Sequence, residues 1–400
     1  MQKDKTLVCF TASYPYGNKE TYFENELQYL SKNFEKIIII PTYNIYGNTQ
    51  RTVPNNVEIY PVTLKQGKGR LIDFIKNFNF PMLLLLEFFK YRIFLNKSKF
   101  KNWLISLVSY GKGLNNFKSY KFDSTNTILY SYWTGQNYFL DDNLKNYKKV
   151  IRMHGGDFYL NRNDNYLPLQ REIYHSADLL LPISKDIYNT LEMFYKVNSS
   201  KINLSYLGVN NSQKYCTVKS DNILKVISCS NVYALKRIDL IYKILQNIDA
   251  SIAIEWNHIG SGELLEDLKS YVKLNNKTNI QVNFLGQKSQ QEIKEIYQNN
   301  YFDFFINTSE HEGLPVSIME AFSYGIPAIA TNVGGTSEIV NKKNGLLIDK
   351  NFNVNEVSRK IESNYKLGLD LHRKNAFNTW KDNFNAEKNY NNVVTTIKKL

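Results

Sequence analysis

Phe302-Asp-Phe-Phe-Ile-Asn307, followed by Glu310-His-Glu-Gly-Leu-Pro-Val-Ser-Ile-Met-Glu-Ala-Phe-Ser-Tyr-Gly-Ile-Pro-Ala-Ile-Ala-Thr331, is the stretch of this 400-residue chain that decides its fold. The first piece is an apolar run of strand length, and Pro327–Thr331 is another. Between them Pro315 suits the first position of a helix, where its missing N–H costs nothing. Strand, loop, helix and strand in that order form one unit of a parallel sheet.

The same alternation extends outward in both directions. Leu7–Phe10, Ile37–Thr42, Ile128–Tyr132, Val150–Met153 and Leu179–Ile183 read as strands, with helical periodicity over Glu20–Lys32 and Lys185–Tyr195. A second series follows: Lys225–Cys229, Ile252–Ile259, Ile280–Leu285, Phe302–Asn307 and Pro327–Thr331. Its helices read as Ile238–Ile248, Glu263–Leu274 and Gln290–Asn299. Near-continuous apolar strands alternating with helices imply parallel sheets covered on both faces. Two series predict two doubly wound, Rossmann-like α/β domains, residues 1–205 and 206–385, with a polar boundary around Gly208-Val-Asn-Asn-Ser-Gln-Lys214. Residues 386–400 form a last amphipathic helix expected to cross back to the first domain. Ligands of such sheets sit beyond the carboxyl ends of the strands, which makes the cleft between two facing domains the natural site.

Composition narrows the class. An apolar content of 43% with 14% aromatics excludes global disorder. Cys9, Cys216 and Cys229 are far apart, and the five histidines are dispersed, so neither a disulfide framework nor a metal cluster is expected. The N-terminal sequence reads as a first strand and not a leader, and no apolar run reaches the ~20 residues of a spanning helix. A cytoplasmic location is expected, with the inner face of the plasma membrane as the alternative place of work.

The net charge of +13 is uneven. Residues 64–121 carry twelve basic side chains against Asp73 and Glu87, together with the apolar runs Phe80–Phe89 and Trp103–Val108. Helices lying on an anionic membrane surface have this composition. Core helices with lysine-rich wet faces have it too, and both readings stand at this level. No nucleic-acid module is recognisable, and nucleic acid is not an expected partner.

The short motifs sit just after strands. Thr11-Ala-Ser-Tyr-Pro-Tyr-Gly-Asn18 is a turn-rich loop in which Gly17 and Asn18 either approach a ligand or simply turn the chain. His154-Gly-Gly-Asp157 places a histidine at a strand end, which favours a site residue over a plain turn. Ser230-Asn-Val-Tyr-Ala-Leu-Lys-Arg-Ile-Asp239 brings Lys236 to the start of the next helix, and Gly260-Ser-Gly262 is a further loop. Glu312 lies in the loop before a helix starting at Pro315, and Glu320 about five residues up it, roughly 7.5 Å along the axis. Amides of Val316 and Ser317 lie between them. Two carboxylates with free amides between suit an elongated anionic ligand carrying hydroxyls at both ends, as a nucleoside diphosphate-sugar does.

Together Glu312–Ala321, Gly325-Ile-Pro-Ala-Ile-Ala-Thr-Asn-Val-Gly-Gly-Thr-Ser-Glu-Ile339 and Ala234–Asp239 resemble the signatures of retaining glycosyltransferases of family 4, which have the GT-B fold. The resemblance is strong over residues 205–385. In the first half it rests on Gly17, His154-Gly-Gly-Asp157 and Ala177-Asp-Leu-Leu-Leu-Pro-Ile-Ser184. It implies a transferase moving a sugar from a nucleotide-sugar, most simply a UDP-sugar, to a glycan or lipid-linked acceptor in surface polysaccharide (capsule or O-antigen) assembly, without a cofactor. It further implies that His154, Glu312 and Lys236 act at the reacting centre, with Glu312 and His154 on the donor sugar. Glu320 would hold the ribose hydroxyls. Lys236 and the amides of Gly313, Leu314, Val316 and Ser317 would hold the diphosphate, and Gly17, Asn18, Asn231, Arg237 and Gly260 would line the donor site. Two positions depart from the pattern. Asn231 stands where many relatives carry an arginine, which shifts phosphate binding toward Lys236, Arg237 and the helix amides. Pro315 replaces a common glycine and removes one amide donor. No Asp-x-Asp string is present, so a metal-independent reaction is expected. A different GT-B enzyme, such as a nucleotide-sugar epimerase or a phosphorylase, and a non-catalytic sugar- or membrane-binding module remain as alternatives.

Overall fold

The computed structural model describes residues 5–400 other than 18–19, 45–48, 66–68, 70–72, 74–75, 78, 80, 135, 212–218 and 220. Asn18, Phe80, Ser212, Gln213, Lys214 and Cys216, named above, and Lys68 and Arg70 of the basic segment lie outside the described residues. The chain divides into two units, one of Met1–Tyr206 with Asn389–Leu400 and one of Leu207–Lys388.

In the first unit, β1 (Thr6–Thr11), β2 (Lys36–Pro41), β3 (Val57–Ile59), β4 (Thr127–Ser131), β5 (Lys148–Met153) and β6 (Leu179–Pro182) form a sheet in the order β3-β2-β1-β4-β5-β6. All of these pairings are parallel, with Val8 opposite Ile38 on one side and Leu129 on the other. Residues 7–11 and 37–41 are buried without alternation, because both faces of the sheet are covered. Leu7, Cys9, Phe23, Leu27, Ile37 and Tyr130 belong to one core cluster, and the final helix Ala386–Lys398 adds Val393, Val394 and Ile397 to it. Within that core Arg152 of β5 and Glu26 of helix Thr21–Ser31 form a fully buried ion pair at 3.4 Å. The Tyr130 hydroxyl donates to Glu26 at 2.5 Å, and Arg152 also donates to the Ser205 carbonyl at 3.2 Å.

The second unit repeats the plan. β7 (Leu224–Cys229), β8 (Ile254–Ile259), β9 (Ile280–Gly286), β10 (Phe304–Asn307), β11 (Ala328–Thr331) and β12 (Gly345–Ile348) lie in the order β12-β11-β10-β7-β8-β9, again all parallel. Its core joins Leu224, Val226, Trp256, Ile306 and Ile329 with the buried stripe Ile241, Ile244, Leu245 of helix Ile238–Gln246. Read from its first strand, each sheet runs 3-2-1-4-5-6, so each has one point where the strand order reverses: β1/β4 in the first unit and β7/β10 in the second. The architecture is the two-sheet α/β plan of the GT-B fold.

The sequence expectations omit β3 and β12. The first is three residues long with a glutamate at its centre, and the second is four residues opened by a glycine. Pro315 sits one place earlier than expected. It is the N-cap, at φ −73° and ψ 98°, and the helix runs Val316–Ser323.

Candidate active site

At a reversal point the loops leaving two neighbouring strands part to opposite sides and open a crevice. In the second unit those strands are β7 and β10, paired through Phe304 and Val226. From β7 the chain passes Ser230–Tyr233 into a 3-10 turn, Ala234–Lys236. From β10 it passes Thr308–Leu314 into helix Val316–Ser323. Among the contacts between the two loops is an ion pair: Lys236 Nζ lies 2.7 Å from Glu312 Oε1. The Asn307 side-chain amide donates to the same oxygen at 3.2 Å. Both charges are only partly exposed, so an ammonium stands fixed beside a carboxylate at the crevice.

No side chain caps the helix at Pro315, which leaves its first-turn amides for solvent or ligand. Glu320 is partly buried one turn further on. Burial pushes its carboxyl up to about 7, against the opposing pull of a Gln290 side-chain hydrogen bond and Lys294. Its field also helps burial raise the thiol of Cys229 at the end of β7. The order along the crevice is therefore a cation–carboxylate pair, a row of amides, and a carboxyl that titrates at neutral pH.

Two glycines hold this arrangement. Gly334 has φ +52°, and a Cβ there would lie 2.0 Å from the Glu312 carbonyl oxygen. The neighbouring Gly335 amide donates to the Gly313 carbonyl at 2.7 Å, which pins the Glu312 loop. Gly260 has φ +144°, with its Cβ position 1.9 Å from the Ser230 carbonyl oxygen. Gly260 thus packs closely against the β7 loop. Arg237 follows the 3-10 turn. It takes a left-handed conformation, φ 48°, and its guanidinium donates to the carbonyls of Thr308, Lys350 and Ser309 at 2.7, 2.9 and 3.4 Å. Those bonds fasten the β10 loop. Asn231 is exposed in the β7 loop; Leu314 and Val316 have buried side chains, while Gly313 and Ser317 are partly exposed.

The first unit has its own site at β1/β4. A cavity of about 330 Å3 is lined there by Thr11, Ala12, Trp133, Thr134, Asp157 and Gln170, among others. Helix Lys97–Tyr120 contributes Asn102, Ser106 and Ser109 to the wall. His154 follows β5, its ring 4.5 Å from that of Trp133 and 4.8 Å from that of Tyr132. Burial, reinforced by Arg152, drives its pKa down to about 3, so it is neutral. The ring is bonded to the Tyr132 backbone, and Nε2 is buried without a hydrogen-bond partner among the described residues. Asp157 accepts from the Thr134 amide at 2.6 Å, the Thr134 hydroxyl at 2.7 Å and the His154 amide at 2.8 Å. Burial still lifts it to about 7.

Sequence reasoning missed Glu20. Gly17 turns the β1 loop at φ +71°, and the Glu20 carboxylate then accepts from the amides of Ala12, Ser13 and Tyr14 at 3.0, 2.7 and 2.6 Å. It also takes the Trp133 indole at 2.6 Å. A glutamate at a helix start ordinarily reads as a dipole partner, and only the turned loop brings three amides onto it. Asp157 was legible from its place three residues after His154, at the first turn of a short helix.

A sequence profile described as Glycosyl transferases group 1 matches residues 216–378. Among curated proteins, the O-antigen biosynthesis glycosyltransferase WbnH of Escherichia coli is 37% identical over 92 residues, 23% of this chain and 24% of that protein. The Escherichia coli UDP-Gal:alpha-D-GlcNAc-diphosphoundecaprenol alpha-1,3-galactosyltransferase is 29% identical over 136 residues, 34% of each chain. The matches therefore span about a quarter to a third of the length of these relatives. Over the whole chain, Anabaena HepE, solved in complex with UDP and glucose, superposes with a TM-score of 0.65 at 15% identity, covering 98% of this chain and 99% of that one. The chain thus has the GT-B fold, and its residues 216–378 match the profile of the glycosyl transferases group 1.

Proposed function

We propose that this protein is a retaining, metal-independent glycosyltransferase that moves a hexosyl or N-acetylhexosaminyl group from a UDP-sugar to a lipid-linked glycan in bacterial surface polysaccharide assembly. The observation that carries the proposal is the Lys236–Glu312 pair at the β7/β10 reversal, ahead of an uncapped helix start. Departure of a nucleoside diphosphate builds negative charge on oxygen. An ammonium and preorganised amides stabilise that charge without reorganising. The sugar carbon becomes positive at the same time, and Glu312 beside it favours that change. Glu320, the partly buried carboxyl further along the helix, accepts the ribose hydroxyls. His154 Nε2, neutral and buried, can accept one sugar hydroxyl. With Lys236 opposing the diphosphate charge, no metal is required, and the leaving phosphate can take the acceptor proton on the face it vacates, which retains configuration.

The matched relatives support the acceptor class, since one of them is named for an acceptor carried on diphosphoundecaprenol. The named complex of HepE with UDP supports the nucleotide. The test is to screen UDP-sugars for thermal stabilisation, then to incubate the stabilising donor with a GlcNAc-diphospholipid in the presence of EDTA. The expected product is a glycan with the anomeric configuration of the donor. Conversion of the UDP-sugar to an epimer without acceptor would establish an epimerase instead. No stabilisation by any nucleotide-sugar would leave a non-catalytic module.

A further inference from the structure

The cavity at the β1/β4 reversal has a wall without a cation. Among its described lining residues there is no lysine, arginine or histidine, and Asp157 is the single acid. The polar part of the wall includes the amides of Asn102 and Gln136 and the hydroxyls of Ser106 and Ser109. Such groups donate and accept, as sugar hydroxyls do. Helix Lys97–Tyr120, which carries Asn102, Ser106 and Ser109, is the long arm of a hairpin whose short arm is helix Met82–Lys90. The Trp103 indole joins the arms by donating to the Leu84 carbonyl at 2.8 Å. Glu87 of the short arm accepts from the Tyr166 hydroxyl at 2.8 Å and the Leu169 amide at 3.1 Å, and so fixes the loop that supplies Leu167 and Pro168 to the wall.

A loop of the wall suited to an anion is already filled. Successive backbone amides that converge after a strand form a nest for phosphate or carboxylate. Here the amides of Ala12, Ser13 and Tyr14 converge on the Glu20 carboxylate, which also accepts from the Ser13 hydroxyl at 3.2 Å. The remaining donor to that carboxylate is the Trp133 indole at 2.6 Å, and this bond orients a ring that lines the cavity. His154 packs on the same ring and is neutral, so it adds no positive charge. Arg152 of β5 is paired with Glu26 inside the core.

We propose that this cavity selects an acceptor whose terminal sugar is uncharged, with the sugar ring against Trp133, and that Asp157 and the filled nest turn away sugars bearing a carboxylate or phosphate. A volume of about 330 Å3 is at the small end of ligand cavities and suits a single sugar unit. An indole whose N–H is held elsewhere offers a flat apolar face to the C–H side of a pyranose. A carboxylate brought into this wall would meet Asp157 and no counter-ion, which is costly where little water is left to screen it. The diphosphate of a lipid-linked acceptor therefore stays outside while the sugar enters. This inference rests on the transferase reading above.

The test uses the full chain at pH 8, where Asp157, its carboxyl lifted to about 7, is mostly ionised. Of the four tryptophans, Trp103, Trp256 and Trp380 are buried and Trp133 is partly exposed, so quenching by acrylamide reports the cavity. The methyl glycosides of glucose and N-acetylglucosamine are expected to protect Trp133 and to accept sugar from the stabilising UDP-sugar. Methyl glucuronide, the glucose ring with a carboxylate, is expected to do both about a hundredfold less well. Asp157→Asn should cut that discrimination to about tenfold or less. Asn102→Lys places a cation in the wall at a partly exposed helix position and should raise glucuronide binding at least about tenfold; it decides the matter if urea denaturation shows Asp157→Asn to be unfolded. Equal protection by glucuronide and glucoside in wild type overturns the selection, as does protection by neither neutral glycoside. A folded Asp157→Asn or Asn102→Lys protein that leaves the discrimination unchanged overturns it too. Selective protection without sugar transfer would sink the transferase reading and leave the selection standing; equal transfer to charged and neutral glycosides would do the reverse.

Discussion

Replacing Lys236 by Met keeps the length of the side chain and removes its charge, which isolates what the ammonium does. Its Nζ is 2.7 Å from Glu312 Oε1, and both groups are less than a quarter exposed. A charge-assisted hydrogen bond of this kind contributes about 1.5–3 kcal/mol where it is made. If the ammonium also faces the departing diphosphate, its loss costs about 2.7–4 kcal/mol in the transition state, the range for removing one preorganised donor, or roughly a hundred- to a thousandfold in kcat. The assay is UDP release at saturating acceptor, with UDP affinity measured by calorimetry and folding checked by urea denaturation. Glu312→Gln and the double variant complete a cycle that separates two roles for the carboxylate. If Glu312 acts mainly by aiming Lys236, the double variant is about as slow as Lys236→Met alone. Independent contacts of the two residues with the donor would instead make the losses add. A Lys236→Met enzyme whose kcat stays within about threefold of wild type, under 1 kcal/mol, refutes the assignment of the ammonium to the leaving group.

The Glu320 carboxyl, raised to about 7, must be ionised to accept two ribose hydroxyls, so UDP affinity should weaken as pH falls through about 7, by at most about tenfold per pH unit; calorimetry across that range should show a profile that Glu320→Gln flattens. Gly334→Ala places a methyl 2.0 Å from the Glu312 carbonyl oxygen at a left-handed position, and we expect it to destabilise the second unit by about 1–2 kcal/mol from backbone strain alone and to depress turnover with it, as urea melts and UDP release will show. Arg152→Met leaves Glu26 buried without its cation and should cost about 3–5 kcal/mol in urea denaturation, much of it regained when Glu26→Met is added. Burial raises Glu87 to about 7, so its favourable contribution is complete below its ordinary value near 4.5 and is lost as pH rises through about 7; Glu87→Gln should remove that pH dependence, up to about 3 kcal/mol, from thermal melts.

The strands that could be read directly, such as β1 and β10, are buried on both faces and spell that out as unbroken apolar runs. β3 and β12 are too short to carry a pattern, and their place at the sheet edges removes the need for one. Lys236 and Glu312 were each legible as loop residues after a strand. Their contact across 76 positions follows only once the strand order sets β7 beside β10. The cavity wall left a fainter mark. Asn102, Ser106 and Ser109 fall four and three apart, a polar stripe on one face of the helix. That stripe is hidden from a reading that weighs only the lysines of the segment.

The hairpin shows where such a reading goes wrong in principle. Met82-Leu-Leu-Leu-Leu-Glu-Phe-Phe89 has no apolar periodicity from which to phase a helix, so its one charge becomes the natural marker of the wet side. Here the marker points inward. A buried carboxyl is tolerable when donors meet it, and the donors are the hydroxyl of Tyr166 and the amide of Leu169, about eighty residues away in sequence. Nothing local to the helix reports them. An inward acid leaves the opposite face to Met82, Leu86 and Phe89, so the feature that defeats the sequence reading is also the one that creates the exposed apolar surface. Its phase is set by hydrogen bonding inside the first unit, and that makes the outward apolar face a fixed property of the fold.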